Sequence, residues 1–219
     1  MKKPLYYQRF YAKIYENEEL SKILDHYFFS QLLSCFQKKR INASVLKEIK
    51  PNSNVLVIGV SFGDFIDNIA QKAKKVTVLD ISKTQISLQE SKFEFVHSNI
   101  NYILQNATVV VDRKFDIVIC NNILHEVPIA TKTKIVNNAL SATQKDGKTF
   151  FIDYHNPRNF MFKYFVRMFN RLYQPFAEKM WDRSIETYAT EKHKYSWKKT
   201  TFFFSCFQKT TAKKKNIHN

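Results

Sequence analysis

Apolar residues along the middle of the chain cluster in short stretches: the unbroken Val55–Ile58, then Val76–Leu79, Phe115–Cys120 and Thr149–Asp153. Such blocks fit strands covered on both faces, as in a parallel sheet. Phe93-Glu94-Phe95-Val96-His97 alternates and predicts a further strand ending at Ser98-Asn99. The stretches between carry helical patterning. A short helix is expected over 82–91 with Ser82 as N-cap, and another over 129–142, closed by an Asp146-Gly147 turn. Strand and helix alternate five times, the pattern of a doubly wound α/β sheet, where ligands bind beyond the carboxyl ends of the strands. Those ends carry Gly59–Gly63, Asp80, Asn99, Asn121–Glu126 and Asp153–His155. The candidate site is the union of these loops.

The flanks read differently. Residues 1–50 form a helical preface, with Leu20, Ile23, Leu24, Tyr27, Phe28, Gln31 and Leu32 at the spacing of one buried face. Pro51-Asn52-Ser53-Asn54 turns the chain into the main domain, 51–212. No acidic residue occurs from Tyr154 to Ala177. There Lys163, Arg167 and Arg171 stack along one side of a helix, with Phe162, Phe165, Phe169, Leu172 and Tyr173 on the other. Pro175 ends that helix, and 154–192 reads as a helical insertion facing substrate or membrane. Trp197–Phe204 and Phe207–Thr211 suggest a terminal antiparallel hairpin, and 213–219 a disordered basic tail.

Composition narrows the partners. Among 219 residues, 35 basic against 19 acidic give a net charge of +16, which favours nucleic acid, an anionic membrane face or an acidic substrate. Because the cations interleave with Phe and Tyr on an amphipathic helix, the membrane surface is favoured over nucleic acid. No apolar run approaches the ~20 residues that span a bilayer, and the N-terminus lacks a signal core. Cys35, Cys120 and Cys206 have no metal-ligand spacing and read as free thiols in a reducing cytosol. The expected location is cytoplasmic, peripheral at the inner membrane face.

Gly59 and Gly63 flank a tight strand-to-helix turn, and Asp80 ends the next strand about 20 positions on, where nucleotide-binding folds offer a carboxylate to ribose hydroxyls. The competing reading is purely local: a tight turn, and an Asp that caps the following helix. His125 and Glu126 follow a buried strand, either as a satisfied loop histidine or as a base or metal ligand. Asp153, Tyr154 and His155 share that face, and a carboxylate with two imidazoles suits a hard divalent ion. His125, Asp153, Tyr154 and His155 are therefore the catalytic candidates.

The strand and glycine turn, Asp80, Asn121-Asn122-Ile123-Leu124-His125-Glu126-Val127-Pro128 and the terminal hairpin together resemble class I S-adenosylmethionine-dependent methyltransferases over roughly 45–153 and 195–212. The resemblance implies a seven-stranded, mostly parallel Rossmann-like sheet with one antiparallel strand, and S-adenosylmethionine with Asp80 on its ribose. It adds Gly59, Ser61, Gly63, Asp64, Ile81 and Asn121 as cofactor contacts, and Asn99 at the adenine. Two positions depart from the pattern: Val57 replaces the usual acid at the first strand's end, and Ser61 replaces the middle glycine.

A narrower likeness covers about Tyr15 to Ala212. Its marks are Ile23-Leu24-Asp25-His26, Ser61-Phe62-Gly63-Asp64-Phe65, Phe151-Ile152-Asp153-Tyr154-His155-Asn156-Pro157, Gln174-Pro175-Phe176-Ala177-Glu178-Lys179-Met180-Trp181, and Trp197-Lys198-Lys199 through Phe207-Gln208-Lys209. These resemble the rhodoquinone-biosynthesis family of methyltransferase-like proteins, which also lacks the acid at Val57. That likeness implies conversion of ubiquinone to rhodoquinone, a ring methoxy group giving way to an amino group donated by S-adenosylmethionine, with manganese as the divalent metal. Phe204-Ser205 stands where paired glycines would be expected. The alternative is a conventional methyltransferase acting on a quinone, another small molecule or RNA.

Overall fold

The computed structural model describes residues 3–26, 36–60, 62–173 and 175–215. Tyr27, Phe28, Gln31, Leu32, Cys35, Ser61 and Gln174, and the side chains of Phe162, Phe165, Phe169, Arg171, Leu172 and Tyr173, lie outside what is described. The chain forms two compact units, 1–109 and 110–219.

The first unit begins with helices α1 (Leu5–Phe10), α2 (Ala12–Tyr15), α3 (Glu18–Asp25) and α4 (Lys38–Leu46). Then come β1 (Asn54–Ile58), α5 (Phe65–Ala70), β2 (Lys75–Asp80), α6 (Lys83–Phe93) and β3 (Ile100–Leu104). Its strands run parallel in the order β3-β2-β1. Val55, Leu56, Val57, Val76 and Val78 are fully buried, as are Phe65, Ile66 and Ile69 of α5. Each contributes about 1.5–3 kcal/mol by leaving water. Ser82 caps α6 as expected, its hydroxyl accepting from Gln85 N–H at 3.1 Å.

The strand expected at Phe93–His97 is the end of α6 and the turn after it. Phe93 is buried in helical step with Ile86 and Gln89, whereas Phe95 is 93% exposed. A period of two over five residues was outweighed by the helix's inner face. The third strand is instead Ile100–Leu104, so Asn99 precedes it. The anticipated inner face of α3 also differs: Ser21 is its buried residue and Ile23 is half exposed.

The second unit holds β4 (Phe115–Asn121), the single 3-10 turn Leu124–Glu126, α7 (Ile129–Ala142), β5 (Thr143–Tyr154), α8 (Phe160–Tyr173), three further 3-10 turns, and β6 (Tyr195–Phe202) with β7 (Phe207–Lys214). Its strands take the order β4-β5-β7-β6, and β7 runs antiparallel to both neighbours. Asp146-Gly147 does not close a helix but lies inside β5. A Cβ at Gly147 would sit 2.6 Å from the Asp116 carbonyl oxygen, so the backbone passes where no side chain fits. Lys213 and Lys214, expected in a disordered tail, pair with Ser196 and Tyr195 within the sheet, and 216–219 lies outside the described residues.

The seven strands make one mostly parallel sheet with flanking helices, the doubly wound class expected. At the β6–β7 turn, Phe203, Phe204 and Ser205 have φ of 44°, 47° and 67°, the left-handed region that glycine favours. Phe204 is 65% exposed, so little packing opposes relief of that strain. Phe204→Gly is expected to raise stability by about 1 kcal/mol. Urea unfolding checks this, and an unchanged midpoint would contradict it.

Candidate functional site

In the first unit the site is built on the glycine turn. Gly59 and Gly63 have φ of 92° and 82°, which explains why neither position carries a side chain. Asp80 ends β2. Its Oδ2 accepts the Val60 N–H at 2.7 Å and its Oδ1 the Ser82 N–H at 2.8 Å, which ties the glycine turn to the start of α6. The two oxygens together offer about four acceptor sites, so room remains for a ligand hydroxyl. Burial raises the Asp80 pKa above the usual carboxylate range, against the lowering by the Ser82, Val60 and Ile81 N–H groups. The Asp80–Val60 and Asp80–Ser82 bonds also show that the local, turn-bracing reading holds alongside any ligand role.

The helical preface takes part in this half. Asp25 Oδ1 accepts the Gly63 N–H at 2.6 Å, and its Oδ2 pairs with Lys92 at 2.8 Å. The Tyr15 ring stacks on Phe62 at 6.1 Å, and the Tyr15 carbonyl accepts from Ser82 Oγ at 3.0 Å. Burial pushes Lys38 down to about 8, while Asp25 and Asp64 raise it. Asp64 precedes α5 without capping it. Ile81 follows Asp80 directly.

Asn99 is not at this end. Its Nδ2 donates to the carbonyls of Ala70 and Ala73 at 2.9 and 3.0 Å, closing the end of α5, and its carbonyl accepts from Val76 N–H where β2 begins. The adenine role expected for it fails on the register. At the carboxyl end of β3, Leu104 pairs with Asp80, and the next residue, Gln105, donates its N–H to the Asp80 carbonyl at 2.9 Å.

In the second unit, His125 and Asp153 meet. Asp153 ends β5 fully buried; Oδ2 accepts from Leu124 N–H at 2.8 Å and His125 N–H at 3.3 Å, and Oδ1 from Tyr154 N–H at 2.7 Å. His125 Nδ1 lies 2.9 Å from Asp153 Oδ1. A carboxylate accepts only, so Nδ1 carries the proton and Nε2 the lone pair. Nε2 stands 3.7 Å from Glu126 Oε1, and the Tyr154 ring lies 4.3 Å from the imidazole. Asn122 makes the tight exit from β4 with φ 52°, a conformation Asn tolerates. Buried Asn121 leaves Nδ2 with no hydrogen-bond partner among the described residues.

Two further findings change the expected constellation. His155 does not join His125: its Nδ1 donates to the Ser205 carbonyl at 3.0 Å and its Nε2 faces Lys199 Nζ at 3.4 Å. Burial lowers its pKa, helped by the Lys199 and Arg158 charges and opposed by the hydrogen bonds to the Ser205 and Asn156 backbone. Lys132, on α7, is fully buried. It donates to the Leu124 carbonyl and, at 3.4 Å, to that of Phe176, and so braces the His125 turn. Burial pushes it down to about 8, opposed by the Asp153 charge.

The residues fit S-adenosylmethionine better than they fit manganese. Asp80, at the carboxyl end of β2, offers an acceptor for a ribose diol. For a divalent ion, no group of three His, Cys, Asp or Glu side chains comes together among the described residues. Asp153, the expected ligand, is already taken by three backbone N–H groups and an imidazole. The expected metal centre does not form from these residues.

Residues 55–147 match the family model described as a methyltransferase domain. A Coxiella burnetii protein named ubiquinone biosynthesis O-methyltransferase is 28% identical over 100 residues, 45% of this chain and 42% of that protein. A Methanosarcina acetivorans protein named probable ribosomal RNA small subunit methyltransferase A is 31% identical over 35% of this chain and 28% of its own length. The chain thus spans less than half the length of the curated relatives it matches. Among solved structures, the N-methyltransferase NodS from Bradyrhizobium japonicum, in complex with S-adenosyl-L-homocysteine, aligns with a TM-score of 0.62 at 12% identity, covering 96% of this chain and 99% of that one. Residues 55–147, less than half of the chain, are thus similar to a methyltransferase domain, and the chain has the class I methyltransferase-like fold.

Proposed function

We propose that this chain is an S-adenosylmethionine-dependent transferase that converts ubiquinone to rhodoquinone, replacing a ring methoxy group by an amino group. The carrying observation is Val57. It is fully buried in β1, at the position where the methyltransferase pattern has a carboxylate. A carboxylate there would hold the cofactor's amine as ammonium, and an ammonium is no nucleophile. An apolar residue leaves the amine free to lose its proton. Asp25, which reaches the glycine turn, is already paired with Lys92 and the Gly63 N–H.

S-adenosylmethionine supplies the amino group when bound. The chain's own residues handle protons. As the ring C–N bond forms, His125 Nε2 accepts the proton the amine releases. It can return that proton to the methoxy oxygen as the ring C–O bond breaks and methanol leaves. Release of a free ring amino group then requires the bond from that nitrogen to the donor's Cα to break: the electron pair stays on nitrogen, which takes up a proton, while Cβ loses one and a Cα–Cβ double bond forms in the departing fragment. Asp153 holds the imidazole in the tautomer this needs and stabilises its charged form, work that typically contributes about 10²–10⁴-fold. The Asn121 amide can hold a carbonyl or carboxylate oxygen in place.

A second reading is favoured by the Coxiella relative, whose name specifies O-methyl transfer in ubiquinone biosynthesis. There His125 would take the proton of a ring hydroxyl. The quinones of ubiquinone-containing cells that express this chain separate the two. Growth on methionine labelled at nitrogen is expected to yield an aminoquinone carrying the label. A quinone with a new methyl group and no labelled nitrogen would establish methyl transfer instead.

A further inference from the structure

A surface helix ordinarily turns its polar side outward. On α8 four large apolar side chains are exposed. Phe160, Met161, Tyr164 and Met168 are 83%, 68%, 65% and 53% exposed. Positions i, i+1, i+4 and i+8 form one continuous strip along a helix. The cations expected to face outward are drawn sideways instead. Lys163 Nζ lies 5.6 Å and the Arg167 guanidinium 5.8 Å from the Trp181 ring, and Arg167 also reaches Glu178 at 3.5 Å. These contacts pin α8 to the segment behind it and leave the apolar strip outermost.

A second apolar tip stands beside the start of this helix. The Arg158 N–H donates to the Phe204 carbonyl at 2.9 Å, joining the lead-in of α8 to the strained β6–β7 turn. There the left-handed backbone holds Phe204 outward at 65% exposure. A large apolar side chain kept exposed at a conformational cost calls for something to cover it.

We infer that the strip Phe160, Met161, Tyr164 and Met168, together with Phe204, docks this protein on an anionic lipid bilayer. Charge selects that occupant. From Tyr154 to Ala177 there is no carboxylate, Arg158 is exposed beside the tip, and the whole chain carries +16. An apolar strip whose own helix carries cations and no carboxylate matches a headgroup region above acyl chains. The 14 residues of α8 are too few to cross a bilayer, and no helix among the described residues is long and apolar enough to do so. The helix therefore lies in the interfacial plane. The choice of a bilayer rests in part on the proposed ubiquinone substrate, which dissolves in acyl chains.

The test uses the full chain and flotation with vesicles of phosphatidylcholine, with and without phosphatidylglycerol. The chain is expected to float with the anionic vesicles and to be released by salt. The variant Phe160→Ser/Met161→Gln/Met168→Gln, and separately Phe204→Gly, should each bind at least about tenfold more weakly while unfolding no earlier than the parent. Unchanged flotation of either folded variant would overturn the inference. So would a parent that ignores vesicles but forms a dimer which the triple variant abolishes, because the strip would then be a contact between copies. Vesicle binding is read without turnover, so docking can hold even if labelled methionine shows no aminoquinone, and the two ideas fail separately.

Discussion

Asp153→Ala is expected to cost on the order of 3–5 kcal/mol of stability, the largest effect of any single substitution in the second unit. The carboxylate is fully buried and accepts from Leu124, His125 and Tyr154 N–H as well as from the His125 ring. Alanine leaves all four donors without a partner in a site water does not reach. The buried Lys132 ammonium, which interacts with this charge, would lose its counter-charge as well. Asp153→Asn separates the roles. Its amide oxygen can still accept backbone N–H groups, but its NH₂ faces a ring nitrogen that needs an acceptor. Stability should then fall only partly, while turnover drops about 10²–10⁴-fold, as for loss of a positioned base. Urea unfolding and product formation measure the two. An Asn variant with full turnover would remove the His125–Asp153 pair from the chemistry.

Asp80→Ala is expected to weaken S-adenosylmethionine binding by about 5- to 150-fold, the 1–3 kcal/mol that follows when buried polar partners lose their match. Part of that loss acts through the backbone, since Asp80 also secures Val60 and Ser82. Calorimetry at several pH values distinguishes a direct contact. Burial raises the Asp80 pKa, so affinity should decline as pH falls, beginning above the range of an ordinary carboxylate. In the alanine variant that part of the decline should disappear. Parent-like affinity in Asp80→Ala would show that the cofactor is held elsewhere.

Much of the fold was legible because the buried parallel strands are short apolar blocks. Val55–Ile58, Val76–Leu79 and Phe115–Cys120 lie within β1, β2 and β4, and the helix expected over 129–142 is α7. The misreadings share a cause. Phe93–His97 has a strand's alternation, but Phe93 is claimed by the face that α6 buries, and the error carried Asn99 to the wrong end of the sheet. The Asp146-Gly147 pair has turn chemistry, yet Gly147 is there for the close approach of β5 to the Asp116 carbonyl.

The site was legible where strand ends define it and hidden where distant segments meet. His125 and Asp153 could each be placed at a strand end, but their hydrogen bond depends on a turn 28 residues away in sequence. Asp25 reaches Gly63 across 38 residues, with no local pattern to announce it. Lys132 has the sequence of an exposed helix position and the burial of a core residue. Its partners are two backbone carbonyls, which leave no trace in side-chain patterning. The outward apolar strip of α8 was likewise hidden, because helical spacing places Phe162, Phe165 and Phe169 on one face without saying which face meets solvent.

The measurement that bears most directly on the central claim uses the purified chain, a short-chain ubiquinone and S-adenosylmethionine labelled at once with ¹⁵N in the amine and ¹³C in the methyl group. Mass spectrometry of the quinone product reads both labels together. Amino transfer predicts a ring that has lost one methoxy group and gained ¹⁵N without ¹³C. A product that gains ¹³C without ¹⁵N would contradict it and make the chain a methyltransferase in chemistry as well as in fold.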